Sequence, residues 1–314
     1  QLEHLQQVDT VFFDKTGVLT ARKIKVGSYF LVDREKDAML ADVGNEDVVS
    51  LIKTVCALCN DVHYLQKLSL ANQIDQALIN FALEQGMDYA EITSQYKRID
   101  DLPFDSENRY MASGFLHSSD EMFYFVKGDP EVITKMCDGY LLADGSYQQM
   151  NFDILYTINS QVDHIVEHGS SVIALAYDHR PHRGKPEKYT FLCLLELENP
   201  LHPAARGIIR ELSKQKRRSI LVTGDKPKSA LRVAADCGIN LAGDACLTGR
   251  LIKAMDLAEV SRQSTYCSVF AQLTPSQKGI LAYLFQLKGH RIAMIGDGPN
   301  DGVALKVADV GISF

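Results

Sequence analysis

The chain of 314 residues lacks an apolar run long enough to cross a bilayer. Its longest candidate, residues 191–197, already contains Glu196, whereas about 18 consecutive apolar residues are needed. The start carries no basic stretch followed by an apolar one, as a secretory signal would. Positive charge is not in excess: 33 Lys and Arg stand against 40 Asp and Glu, a net −7, which argues against a nucleic-acid-binding surface. There is no disulfide framework either. Seven cysteines, an odd number, fit a reducing compartment, and the one C-x-x-C, Cys56 and Cys59, has no second Cys or His pair at metal spacing, although His63 is near. It sits in an apolar helical stretch and is expected to be buried structure. Internal repeats and low-complexity tracts are absent, and the one basic cluster, Lys214 to Arg218, reads as a solvated helix end. What is left is a chain expected to be soluble, 46% apolar and long enough for about two domains.

The segments sort into two patterns. Apolar run 8–13 reads as a buried strand, after which strand–helix alternation stops near Leu19 and resumes near Asn199. From there the chain alternates: helix from Pro203 to about 215, strand 219–222, helix 226–237, strand 268–270, helix 275–287, strand 291–295, helix 300–307, strand 310–312. Between them lie helices 46–58, 72–84 and 153–167 and strand-like runs 109–116, 121–126, 171–177 and 188–195, an α+β arrangement. Residues 1–24 and 199–314 are therefore expected to form one discontinuous α/β domain with a doubly wound parallel sheet. Residues 25–198 are inserted into it.

Asp14, in Asp14-Lys15-Thr16-Gly17, lies just past the end of the first strand, and Asp297, in Gly296-Asp297-Gly298-Pro299-Asn300-Asp301, just past a later one. Ligands of open α/β sheets bind beyond the carboxyl ends of the strands, so the two acids are expected to meet at one Mg²⁺-dependent phosphoryl-transfer centre with Asp14 as nucleophile. Thr223-Gly224-Asp225 also follows a strand and precedes a helix, where a hydroxyl and free N–H groups can grip a phosphoryl oxygen. Lys278 sits in the first turn of a helix, a position the macrodipole disfavours unless an anion is near.

These motifs carry a resemblance. Residues 14–20, DKTGVLT, look like the phosphorylation signature of the P-type ATPases, and residues 294–312, MIGDGPNDGVALKVADVGI, like their hinge signature. Lys127-Gly128-Asp129-Pro130-Glu131 is similar to the family's KGAPE box and residues 223–225 to its TGD box, in the family's order across nearly the whole chain. The resemblance implies a haloacid-dehalogenase-like phosphorylation domain with an inserted nucleotide-binding domain, most similar to those of the type II cation pumps. It implies that ATP gives its γ-phosphoryl to Asp14, with Thr223, Gly224, Asp225 and Lys278 gripping the group. Mg²⁺ would be held by Asp14, the Thr16 carbonyl and Asp297. Asn300 and Asp301 would stand behind, orienting the metal's water and Lys278 or capping the next helix. It implies adenine stacked on Phe104, phosphates near Arg109, Lys127 and Gly128, and Asp75 near the adenine amino group. The transported cation, the membrane helices and the actuator domain would belong to other parts of the parent chain, this region being its cytosolic loop.

Several positions depart from the pattern. Thr16 stands where phosphatases of the wider fold carry a general-acid Asp, so a slowly hydrolysed aspartyl phosphate is expected rather than a scavenging phosphatase. Val18 replaces a usual Thr, Asp129 the Ala of the KGAPE box, and Ser171 and Gln272 frequent arginines; Asn199-Pro200-Leu201-His202 stands for a DPPR-like element. These losses predict weak ATP binding. Two rivals stay in view: a free-standing phosphatase and an idle nucleotide-binding module.

Overall fold

The computed structural model describes residues 6–33, 45–61, 72–105, 107–180, 186–241 and 246–313. They group into two compact units, Gln1–Arg22, Glu167–Gly169 and Asn199–Phe314 in the first, Lys23–Val166 and Ser170–Glu198 in the second.

The first unit is an α/β layer structure around a parallel sheet of six strands, in the spatial order Cys246–Thr248, Val269–Ala271, Arg218–Val222, Thr10–Phe13, Ile292–Gly296, Val310–Ser313. Its central strands are mainly apolar and buried because both faces are covered. Phe12 points into one core with Ile220, Phe270, Phe285 and Met294, while its neighbours Val11 and Phe13 point into another with Ile209, Leu221, Ala230, Val269 and Ala293. Phe12 is fully buried and meets the Phe285 ring edge-on at 5.2 Å, so truncation to Ala would cost about 3–5 kcal/mol. Helix Pro275–Leu287 covers the Phe12 face. It starts with Pro at its first turn and a capping box in which Thr274 Oγ1 accepts from Gln277 N while Gln277 Oε1 accepts from Thr274 N. Helix Pro227–Cys237 covers the other face and stops at Gly238, in the left-handed conformation (φ 83°) that glycine adopts without strain.

The second unit is built on a mixed sheet of eight strands among the described residues. Tyr96–Asp105, Tyr110–His117, Met122–Gly128, Ser171–Arg180 and Tyr189–Glu198 run antiparallel in that order. The far edge of the last is shared: Lys25–Phe30 pairs antiparallel with its later half, and Cys137–Leu141 pairs parallel with its start, carrying Tyr147–Gln149 outside it. Alternation again splits two cores. Phe115, Phe125, Leu175 and Leu195 face Ile52, Val55 and Leu78 of helices Glu46–Leu58 and Gln73–Glu84. Tyr124, Val126, Ala174 and Phe191 face Ile133 and Ile158 of helices Pro130–Met136 and Phe152–Glu167. Asn45 and Asn72 cap the first two helices, each side-chain oxygen accepting from free N–H groups.

The elements that the alternation misses are short or polar. Strand Cys246–Thr248 and helices Gly249–Ala254 and Leu257–Ser264 fill what reads as one long connection between 237 and 268. Tyr96–Asp105 contains Pro103 and five charged residues, which suits the sheet edge it occupies. Cys56 and Cys59 are fully buried free thiols. Cys59 Sγ donates to the Phe125 carbonyl at 3.4 Å, and burial pushes its pKa up to about 11 and that of Cys56 higher still, so both are structural. His63 lies outside the described residues.

Candidate phosphoryl-transfer site

Parallel register brings strand ends together. Phe13 pairs with both Leu221 and Ile295, so Asp14, Thr223 and Asp297 leave the carboxyl edge of three adjacent strands, with Asp14 N donating to the Ile295 carbonyl at 2.9 Å. Asp14 is 8% exposed. Lys278, buried in the first turn of its helix, donates from Nζ to Asp14 Oδ1 at 2.5 Å and to Asp301 Oδ1 at 2.7 Å. These two acids are the anions that a lysine at a helix start requires. Thr16 N donates to Asp14 Oδ2 at 3.1 Å, which leaves both Asp14 oxygens oriented.

Burial raises the Asp14 pKa against the opposing pull of Lys278. For Lys278 burial acts downward, but Asp14 and Asp301 outweigh it and hold the pKa above the ordinary lysine value, so the side chain stays an ammonium at neutral pH. Asp14, Asp297 and Asp301 bring one carboxylate oxygen each within 4.8 Å of one another. An all-oxygen donor set suits a hard divalent cation. Asp301 thus lies closer to the centre than its expected place behind the metal. It occupies the N-cap position of helix Gly302–Val307 without a capping bond from its side chain; Lys278 takes that carboxylate instead. Asn300 is exposed in the turn Pro299–Asp301.

The Thr223-Gly224-Asp225 turn is tied by Asp225 N donating to Thr223 Oγ1 at 3.1 Å and Leu273 N to the Thr223 carbonyl at 3.0 Å. Asp225 makes an ion pair with Lys15, whose Nζ also reaches Ser229 Oγ at 3.3 Å. Asp225 is therefore committed to a cation of the DKTG loop, and Lys15 is a residue the motif reading left without a role. Arg218, from the basic cluster, lies at the opposite end of its strand and donates to the Ser264 and Cys267 carbonyls at 3.2 and 2.6 Å, a structural use.

In the second unit, Lys127 and Asp75 form a buried ion pair, with relative side-chain exposures of 6% and 1%. The expectation that Lys127 presents its charge and Asp75 meets adenine gives way to mutual neutralisation in this structure. Phe104, near the end of the edge strand, is 58% exposed, as an open stacking face would be. Arg109 (φ 59°) is paired with Asp129 at 3.1 Å and Glu131 at 3.5 Å. Asp129 accordingly faces Arg109, and its other oxygen accepts from Glu131 N at the start of helix Pro130–Met136. A Cβ on Gly128 would lie 2.6 Å from the Arg109 carbonyl, so its small size serves the neighbouring strand. Ser106, which like Ser171 offers no cation to a nucleotide phosphate, lies outside the described residues.

With this geometry in place, similarity to known proteins is decisive. Residues 48–204 match the model of the P-type ATPase cytoplasmic domain N. This chain belongs to the P-type ATPases. It is 30% identical along its whole length to a calcium-transporting ATPase of Listeria monocytogenes and to a cation-transporting ATPase of Synechocystis, and 26% identical to a sodium/potassium-transporting ATPase alpha subunit of Hydra vulgaris. The chain spans 36%, 38% and 37% of those relatives, little more than a third of their length. Among the described residues of this P-type ATPase chain, no helix is long and apolar enough to cross a membrane.

Proposed function

We propose that the chain is the phosphorylation and nucleotide-binding region of a cation-transporting P-type ATPase, and that Asp14 accepts the γ-phosphoryl of ATP. The observation that carries this reading is Lys278 held between Asp14 and Asp301, beside Asp297, at the carboxyl edge of a parallel sheet. The first unit is read as a haloacid-dehalogenase-like phosphorylation domain, the second as the nucleotide-binding domain. An Asp14 carboxylate oxygen attacks the γ-phosphorus, the bond to the bridging oxygen breaks, and ADP leaves with that electron pair. Lys278 and the Thr223-Gly224 turn neutralise and orient the transferring group; loss of one such preorganised donor typically costs about 10²–10³ in rate. Asp14, Asp297 and the Thr16 carbonyl, with Asp301 adjacent, would hold Mg²⁺, which when bound offsets phosphoryl charge.

Hydrolysis of the aspartyl phosphate returns the Asp14 carboxylate and inorganic phosphate. Thr16 offers no carboxylate to activate that water, consistent with a long-lived intermediate and with an actuator domain elsewhere in the parent protein supplying the step. Coupling to a transported cation is assigned to the membrane part of that protein.

Incubation with γ-labelled ATP or acetyl phosphate and Mg²⁺ tests the reading. Acid-stable, hydroxylamine-sensitive label is expected, and Asp14→Asn should not acquire it. Rapid turnover of phosphate esters without label would favour the phosphatase; nucleotide binding with neither label nor turnover would favour the idle module.

A further inference from the structure

Arg22, two residues beyond the DKTGVLT motif, donates from Nε to Asp297 Oδ2 at 2.9 Å and from Nη2 to the Asp297 carbonyl at 3.3 Å. One guanidinium thus grips both the side chain and the backbone of the acid expected to hold the metal. The arrangement is built around Gly17. Its φ of 78° suits glycine, and a Cβ there would fall 1.8 Å from Asp297 Oδ2 and 3.1 Å from Arg22 Nε, so no larger residue leaves room for the pair. The Arg22 side chain is 59% exposed and Asp297 18%, so the cation can swing into solvent while the acid stays in place.

The charges explain what the pair does. Three carboxylates, Asp14, Asp297 and Asp301, crowd within 4.8 Å, and Lys278 contacts only Asp14 and Asp301 among them. Arg22 supplies the cation for Asp297. A divalent ion entering the triad meets that guanidinium on the oxygen it needs.

We propose that Arg22 is a positioning residue that occupies Asp297 in the metal-free protein and competes with the divalent cation for it, thereby setting the Mg²⁺ concentration at which the site fills. The proposal rests on the assignment of Asp297 to the metal site. Two like-signed groups contending for one carboxylate oxygen differ in a property a merely structural ion pair would not share: removing the arginine strengthens metal binding. The effect is electrostatic and partly solvent-exposed, so it should amount to about three- to tenfold at low salt and shrink as salt screens it.

Mn²⁺ binding to the purified chain, followed by electron paramagnetic resonance of the free ion and by Mg²⁺ competition, reads this without any turnover. Arg22→Ala should tighten Mn²⁺ and Mg²⁺ about three- to tenfold, Arg22→Gln likewise, and the gain should fall by at least half between about 20 and 300 mM KCl. Unchanged or weaker metal binding in both variants, with unaltered thermal unfolding, overturns the proposal. Asp297→Asn separates this from the underlying assignment. If it abolishes the Mn²⁺ site while Arg22→Ala changes nothing, only the role of Arg22 fails; if it binds Mn²⁺ like the parent chain, the metal assignment fails with it. Weaker binding of beryllium fluoride in Arg22→Ala at unchanged Mn²⁺ affinity would instead make Arg22 a phosphoryl ligand and also overturn the proposal.

Discussion

The two units treat charge in opposite ways. In the first, three acids and two cations converge at strand ends, Lys278 shared between Asp14 and Asp301 and Arg22 on Asp297. In the second, charges near the expected nucleotide site are neutralised by near neighbours, Lys127 by Asp75 in the interior and Arg109 by Asp129 and Glu131 at the surface. In the first unit the pairs share one site, so a phosphoryl group proposed to bind there meets several charges at once; in the second each pair is separate and must be opened before it can serve a ligand. The first unit should therefore be sensitive in chemistry and the second in stability and affinity.

The largest effect expected is on chemistry. Lys278→Ala removes the cation from two buried carboxylates and should lower the phosphorylation rate about 10²–10³-fold in rapid-quench measurements. A rate within a few-fold of the parent chain would mean the cluster is not tuned for transfer. Lys127→Ala is the counterpart in the second unit. It strands the buried Asp75 carboxylate and should destabilise that unit by about 3–5 kcal/mol in urea unfolding, whereas a lysine acting only on nucleotide would leave stability unchanged.

Smaller effects follow for nucleotide. Phe104→Ala should weaken ATP binding by about 1–3 kcal/mol, read from amide shifts on titration. Equal affinity for both forms would move the adenine site elsewhere. Asp129→Ala leaves Arg109 with only its longer pairing to Glu131 and should tighten binding by about 0.5–1 kcal/mol, while loss of the Asp129 bond to Glu131 N costs the helix about 1 kcal/mol of stability. Unchanged affinity would show that Arg109 stays outside the phosphate path.

The smallest effect is a pH dependence of the first unit. At its strand starts, burial acts upward on Asp309, but the Ile292 N–H, Gln286 and Arg291 outweigh it and hold the pKa below the ordinary carboxylate value. Asp9 is likewise held down, burial again being outweighed by Thr10, the Arg291 backbone and His290. A pKa lowered on folding stabilises above the unfolded-state value of about 3.9, and the contribution is lost as pH falls through the folded value. Denaturation monitored from pH 6 to 3 should show stability declining below about pH 4, with a shallower decline in Asp309→Asn.

Sequence patterning made the first unit largely legible because its strands are apolar on both faces and its helices carry strong start and stop residues. Pro275 and Gly238 mark such ends, and the strand-end acids follow from the same pattern. The second unit was less so. Its edge strand carries alternating charge and a proline, and Cys137–Leu141 and Tyr147–Gln149 are held by a turn at Gly145 (φ 87°) and by long-range pairing. At the site, motif spacing pointed to Asp14, Lys278 and Asp297, but partner choice depends on tertiary distance. That Asp225 meets Lys15, that Asp75 closes on Lys127 and that Arg22 reaches Asp297 across 275 residues of chain has no local signal.

Asp14 itself is proposed to take the phosphoryl group. The direct measurement is chemical mapping: chain incubated with ATP and Mg²⁺ is quenched in acid, reduced with borohydride, digested and sequenced by mass spectrometry. The predicted result is conversion of residue 14 alone to homoserine, within the peptide containing Thr16 to Thr20 and absent without ATP. Reduction at a different acid, or none at all under conditions where ATP is bound, would contradict it.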